Sequence, residues 1–251
     1  MEKLLNKSVI ITGAASGMGR AMAILFAKEG ADLMLVDLHQ NELDELKKQT
    51  ANPAKVQTFV CDMAKDTEVK AMFDAVVNSR NRVDIVINNA GIMDDFMPVD
   101  KLTNEQWNRV MGVNINGPFY LCRLAVAKML EQQSGVIVNV ASIGGLMGAR
   151  AGAAYTSSKH ALIGLTKNIG FMYAKQGIRC NAIAPGGVNT GIGKNMHPEP
   201  FGYERCTSGG ASMPRMGEAE EIAETALFVA SEAASFINGA IITADAGWTA
   251  Y

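Results

Sequence analysis

Short, wholly apolar runs alternate with longer stretches of helical period along this chain. Positions 9–11 (Val9, Ile10, Ile11) show no polar alternation and read as a strand buried on both faces. Met18, Met22, Leu25 and Phe26 then recur at i, i+4, i+7 and i+8, the apolar face of a helix that Gly30 ends. Further strands are expected at 33–36, 56–60, 83–87, 136–140, 179–183 and 240–243. Helices are expected at 41–50, 66–79, 155–173 and 218–231. Thr103 to Gln106 fits a capping box, T-x-x-Q, and opens a helical region running toward Gln132. Gly117-Pro118 is its expected kink. Apolar strands separated by helices predict an α/β fold with a parallel sheet covered on both sides. There is no repeat or interdomain linker, so residues 1–251 are read as one domain. The irregular stretch 191–213, rich in Gly, Pro and polar residues, is expected to be a lid over a binding site.

Composition narrows the partners. Lys+Arg number 23 against 25 Asp+Glu, a net charge of −2, without the electrostatic footprint of a nucleic-acid binder. No apolar run approaches the roughly 18 residues that cross a bilayer, and the start carries no signal-peptide pattern. No membrane partner is expected. Cys61, Cys122, Cys180 and Cys206 stand apart with no C-x-x-C pair. Neither disulfides nor a metal site is expected, and a reducing cytoplasm is the default.

The glycines gather where chemistry can use them. Gly13, Gly17 and Gly19, with Ser16 and Met18 between them, form G-x-x-x-G-x-G between the first strand and the first helix. Glycines permit a tight turn and close approach, and a helix N-terminus offers free N–H groups to a pyrophosphate. Asp37 ends the second strand, where a carboxylate can hold the two ribose hydroxyls of NAD and repel a 2′-phosphate. Leu38 follows it, and the turn holds no Lys or Arg. The cofactor is therefore expected to be NAD.

Tyr155 and Lys159 lie four apart and share a helical face. Ser142 stands just beyond the fifth strand, where an open parallel sheet places its ligand crevice. A phenol with its ordinary pKa of about 10 is too weak a base near neutrality. A neighbouring ammonium favours phenolate, and Lys159 can supply it. The Ser142 hydroxyl can hold a substrate oxygen. His160 adjoins Lys159 in sequence but points away around the helix, and reads as structural.

With these residues in order, the chain resembles the short-chain dehydrogenase/reductase family over essentially its whole length. The shared motifs are 12–19, Asp62, 88–91, Asn114, Ser142, Tyr155-x-x-x-Lys159 and 185–190. The resemblance implies a single three-layer Rossmann-type domain with a seven-stranded parallel sheet, assembled as a homotetramer. It implies Tyr155 as general acid/base, with Lys159 lowering its pKa and binding the nicotinamide ribose. Ser142 would orient the substrate oxygen, and Asn114 would hold a water linking Lys159 to solvent. Asp62 and Met63 would meet the adenine, and Asn89, Ala90 and Gly91 the adenosine side. Pro185, Val188 and Thr190 would meet the nicotinamide end. The family's usual Asp-Gly-Gly near the C-terminus appears here as Asp245-Ala246-Gly247.

The substrate is expected to be a small-molecule secondary alcohol or ketone on a bulky apolar skeleton. The stretches after Gly91 and Ser142 and the lid carry Ile92, Met93, Met97, Ile143, Leu146, Met147, Ile192, Met196, Phe201 and Met213. Methionine adapts to large apolar ligands, and the chain has 15. Arg150, Lys194, Arg205 and Arg215 are scattered and form no evident anion clamp. A hydroxysteroid or bile acid fits best. A 3-oxoacyl reductase and a sugar or polyol dehydrogenase are the alternatives, and a non-catalytic NAD-binding sensor is the remote one. Cys206 reads as an inert thiol.

Overall fold

A computed structural model describes residues 2–193, 196–208 and 210–250. In chain order it builds β1 Ser8–Thr12, α1 Gly17–Lys28, β2 Asp32–Asp37, α2 Gln40–Gln49, β3 Val56–Val60, α3 Asp66–Arg80 and β4 Ile85–Asn88. Then follow α4 Asn104–Met111, α5 Gly117–Gln132, β5 Gly135–Val140, α6 Ala153–Met172, β6 Ile178–Pro185, β7 Val188–Asn189, α7 Pro200–Thr207, β8 Gly217–Glu218, α8 Ala219–Ala230 and β9 Ile241–Ala244.

Seven parallel strands form one sheet in the order β3-β2-β1-β4-β5-β6-β9. Their apolar runs follow from burial on both faces. Val9, Ile11, Leu33 and Leu35 pack with Met22, Phe26 and the apolar side of α8. Ile10, Met34, Val36 and Val86 turn to the other side and meet Phe73, Leu121 and Ile169. Period-two alternation thus divides one hydrophobic strand between two cores. β1 pairs with β2 on one side and β4 on the other, with Ile10 opposite Met34 and Val86. The chain winds outward from β1 to β3, then returns to start β4. Such a reversal opens a ligand crevice beyond the carboxyl ends of the strands. Those ends carry Gly13, Asp37, Asp62, Asn89, Ser142 and Gly186.

Four departures matter. The expected kink at Gly117-Pro118 lies one turn earlier, because Gly112–Asn116 forms a π-turn between α4 and α5. That turn carries Asn114 inward, fully buried; π-turns recur at functional sites. The stretch 191–213 is not a plain loop. It contains α7, whose Glu199 side chain accepts a hydrogen bond from the Gly202 amide at 2.7 Å. A second, two-stranded sheet of β7 and β8 joins its flanks. Ala246, standing where the family pattern has glycine, takes φ +55°, the left-handed conformation that glycine favours. The Thr103 box forms as expected, with the Gln106 amide donating to the Thr103 hydroxyl at 3.2 Å and the Thr103 amide to the Gln106 side chain at 3.1 Å.

Candidate active site

The crevice is built first from main chain. Gly13 takes φ +63°, and a Cβ there would stand 2.8 Å from the Ala90 Cα. Gly19 meets the turn so closely that a Cβ would lie on the Gly13 carbonyl oxygen. Thr12 and Asn89 brace the two crossing segments. The Thr12 hydroxyl accepts from the Asn89 and Ala90 amides, each at 3.1 Å, and Asn89 Nδ2 donates to the Thr12 and Gly13 carbonyls. Ser16 caps α1 by backbone alone and makes no side-chain capping bond among the described residues. Gly17 and Met18, at the start of α1, line the cleft, where their amides have no side-chain cap among the described residues and suit a pyrophosphate.

Asp37 closes the far end of this cleft. One of its oxygens accepts the Ala15 amide at 3.0 Å, and the other the Leu38 amide at 2.7 Å. Each carboxylate oxygen accepts two hydrogen bonds, which leaves capacity for ribose hydroxyls. Gly13, Ser16, Gly17, Met18, Asp37, Asp62, Met63, Asn89, Ala90, Gly91 and Thr190 all line the one cleft. Gly19, Tyr155, Lys159, Pro185 and Val188 do not line it; the place of Gly19 is the close packing just described. No Lys or Arg lines the cleft among the described residues. His39 does, and its Nδ1 lies 3.0 Å from Asp37 Oδ1. This imidazole was not legible in the sequence, because its approach depends on the turn that opens α2.

The second half of the site gathers at the ends of β4 and β5 and along α6. The Ser142 hydroxyl accepts the Gly144 amide at 2.9 Å. A Cβ on Gly144 would touch both that hydroxyl, at 3.3 Å, and the Tyr155 ring, at 3.4 Å, so serine and tyrosine converge. A Cβ on Gly91 would lie 3.4 Å from Lys159 Nζ and 3.5 Å from Asn114 Oδ1. Lys159 Nζ donates to the Val140 carbonyl at 2.8 Å and stands 5.6 Å from the centre of the Tyr155 ring. Asn114 is held on three sides. Its Oδ1 accepts the Ile92 amide, and its Nδ2 donates to the Ile92 carbonyl and the Ser158 hydroxyl. Ser158 in turn donates to the Tyr155 carbonyl at 2.7 Å.

Burial governs the electrostatics. It pushes the Tyr155 phenol above its ordinary value, against the Ser142 hydroxyl and with the Asp94 carboxylate. It pushes the Lys159 ammonium down to about 8. A buried lysine with a lowered pKa beside a buried phenol is the kind of perturbed pair that marks active sites. His160 is exposed and its ring nitrogen meets the Thr156 carbonyl at 2.9 Å. Cys206 donates to the Ala151 carbonyl at 3.2 Å, and burial pushes its thiol up.

The residues expected to contact substrate divide by exposure. Leu146, Ile192 and Phe201 are exposed. Ile143 is buried, and Met213 packs against Gly187. Arg150 lies over the Trp248 ring at 4.2 Å, and Arg215 pairs with Glu221 at 2.6 Å. Lys194 lies outside the described residues. Sequence reasoning missed Asp94, whose carboxylate accepts the Gly152 and Tyr155 amides. The only signal was a glycine preceding α6 where a capping side chain is usual.

Known proteins bear on this geometry in three ways. A family model described as enoyl-(acyl carrier protein) reductase matches residues 13–249. The chain is 43% identical to 3beta-hydroxysteroid dehydrogenase 2 of Eggerthella lenta, over 99% of this chain and 96% of that protein. It is 35% identical to the 3-oxoacyl-(acyl-carrier-protein) reductase of Thermotoga maritima, over 98% of each chain. The structure of a putative NAD(P)-dependent gluconate 5-dehydrogenase from Beutenbergia cavernae, with NADP bound at low occupancy, superposes with a TM-score of 0.87 at 31% identity. It covers 100% of this chain and 99% of that one.

Proposed function

Since the chain belongs to the short-chain dehydrogenase/reductase family, and so is an oxidoreductase acting on CH–OH groups with a nicotinamide cofactor, we propose that it uses NAD(H) to interconvert a secondary alcohol and a ketone on a bulky apolar substrate such as a hydroxysteroid or bile acid. The observation that carries the chemistry is the convergence of Ser142, Tyr155, Lys159 and Asn114 around Gly91 and Gly144. The cleft suits a dinucleotide, with free first-turn amides for a pyrophosphate and an acidic strand end for a ribose. When bound, the nicotinamide supplies a hydride acceptor or donor for the carbinol carbon.

The protein supplies the rest. Ser142 Oγ holds the substrate oxygen. Tyr155 takes the hydroxyl proton during oxidation and returns it to the ketone oxygen during reduction. Lys159, charged below its pKa of about 8, favours the phenolate by its proximity. Asn114 clamps the Ile92 backbone and, as in the family, would hold a water linking Lys159 to solvent.

Asp37 supports NAD over NADP, because a carboxylate at this strand end can hold ribose hydroxyls and would repel a 2′-phosphate, and no Lys or Arg lines the cleft among the described residues. The apolar reading rests on Ile192, exposed at the cleft, on the exposed Leu146 and Phe201, and on the likeness to a hydroxysteroid dehydrogenase. A 3-oxoacyl reductase is the second reading, favoured by the Thermotoga relative.

We also propose a homotetramer in a reducing cytoplasm. Phe171, Met172, Phe228 and Phe236 are exposed, apolar surface of the kind that a second copy covers. All four cysteines are free. No helix among the described residues is long and apolar enough to cross a membrane. Light scattering reads the assembly.

A panel following reduced nicotinamide by absorbance tests the substrate, with 3β-hydroxysteroids run against acyl thioesters, sugar alcohols and small alcohols. Turnover of the steroids is expected. Steroid silence with thioester turnover would move the assignment to the second reading.

A further inference from the structure

The catalytic helix lacks a cap of its own. Its N-cap residue is Gly152, which has no side-chain oxygen for the first-turn amides. Those amides ordinarily need an acceptor when buried. Asp94, 61 residues before Tyr155, fills the place from the segment after β4. Its Oδ1 accepts the Gly152 amide at 3.1 Å and its Oδ2 the Tyr155 amide at 2.8 Å. The Ala153 amide is taken by the Met97 carbonyl at 3.0 Å. Three amides at the start of α6 are therefore held by one short strap, 94–97. Gly152 fits this role because a Cβ there would stand 2.6 Å from Asp94 Oδ2 and 2.5 Å from the Met97 nitrogen.

The strap is strained and tied at its other side to α7. Asp95 and Phe96 both have left-handed φ, +54° and +57°, an uncommon choice for two consecutive non-glycine residues. The Glu199 amide donates to the Asp95 carbonyl at 2.8 Å, and the Phe96 ring meets Tyr203 edge-on at 5.3 Å. Phe96 packs so closely on α7 that Gly202 has no room for a Cβ. Such strain persists only where surrounding contacts over-determine it.

We propose that Asp94 is the positioning residue of the acid/base: its carboxylate holds the first turn of α6, and with it the Tyr155 ring, in place, and links that turn through the strap to α7. The inference rests on the reading of Tyr155 as acid/base. Asp94 is only 3% exposed, so its grip on the amides is not shared with water. The groups facing Tyr155 are Lys159 on its own helix, Ser142 beyond β5 and Asp94 on the strap. Cys206 faces Asp94 from α7. The Asp94 charge raises the Tyr155 phenol further than burial alone does.

The experiment compares Asp94→Asn and Asp94→Ala with the parent enzyme in the oxidation direction, using NAD⁺ and the alcohol turned over fastest in the panel. Asparagine keeps one acceptor and loses the charge; alanine loses both. The expected result is a graded fall in kcat, about tenfold for Asn and about a hundredfold for Ala. The pH at which kcat rises moves down for both variants, because the negative charge beside the phenol is gone. NADH affinity by fluorescence stays within about twofold, since the strap lies outside the dinucleotide cleft. A profile and kcat for Asp94→Asn that match the parent would overturn the proposal. Should both variants fail to fold, amide hydrogen exchange on the parent decides: protection of Gly152 and Tyr155 like the helix interior supports the clamp, and free exchange overturns it. Tyr155→Phe separates the two claims. If Tyr155→Phe stays active, the acid/base reading fails. If it is inactive while Asp94→Asn behaves like the parent, only the Asp94 role fails.

Discussion

The two halves of the cleft solve backbone strain in opposite ways. In the glycine-turn half the left-handed positions are Gly13 and Gly17, where the conformation costs little. In the strap half they are Asp95 and Phe96, where it costs about 1–3 kcal/mol each. The first half presents main-chain amides suited to the pyrophosphate that all nicotinamide dinucleotides share. The second presents side chains, held by contacts from α6 and α7, to a substrate that varies across the family. A constant ligand can be met by local turn chemistry; a variable one is met by long-range packing that stores strain.

The sharpest test of that contrast is Lys159, where the halves meet. Lys159→Met is expected to lower kcat by about a hundredfold or more, yet leave the cofactor-free protein at least as stable at pH 7. The sign follows from linkage. The folded ammonium has a pKa of about 8, below its ordinary 10.5. The unfolded chain therefore binds more protons between those values, and stability rises with pH across that window. In Lys159→Met the rise disappears, as thermal melts from pH 7 to 10.5 would show. A melt whose pH dependence is unchanged would break the account of burial.

Asp37→Ala acts on the glycine-turn half alone. It is expected to reduce the NADH-over-NADPH preference by about tenfold, a loss of roughly 1.4 kcal/mol of discrimination, with the substrate KM unchanged. Unchanged cofactor selectivity would mean that Asp37 only braces the Ala15 and Leu38 amides. Gly202→Ala acts on the strap half alone. The new Cβ collides with the Phe96 carbonyl, so the substrate KM should rise about threefold to tenfold while the NADH Kd stays put. A change in NADH Kd instead would join the halves that the comparison separates. The smallest effect belongs to Ala246→Gly, at a left-handed position with φ +55°. It should stabilise the protein by about 0.5 kcal/mol, the relief of the alanine strain less the added freedom of the unfolded chain. A drop in melting temperature would show that the methyl packs usefully.

Legibility followed the range of the interactions. The strands at 9–11 and 33–36 could be read because burial on both faces leaves no polar residue to mask them. The Thr103–Gln106 box could be read because both hydrogen bonds span three residues. The turn at Gly13 and the strand end at Asp37 were legible for the same local reason. Asn114 was named as a site residue, but its burial came from a π-turn that no spacing announced. His39 beside Asp37 went unseen, as did the helix 200–207 inside the irregular stretch, whose Gly202 packs on Phe96 from about a hundred residues away.

The amino-acid sequence by itself determined the strand–helix alternation, the parallel sheet, the glycine turn and the Tyr155–Lys159 pair, because each rests on periodicity or on residues within a turn of one another. Only the tertiary structure decided which groups meet. Ser142 reaches Tyr155, Gly91 leaves room for Lys159 and Asn114, and Asp94 caps a helix that starts nearly sixty residues later. Those meetings depend on how the ends of β4, β5 and α6 are packed together, and packing is fixed by the summed burial of two cores rather than by any local pattern.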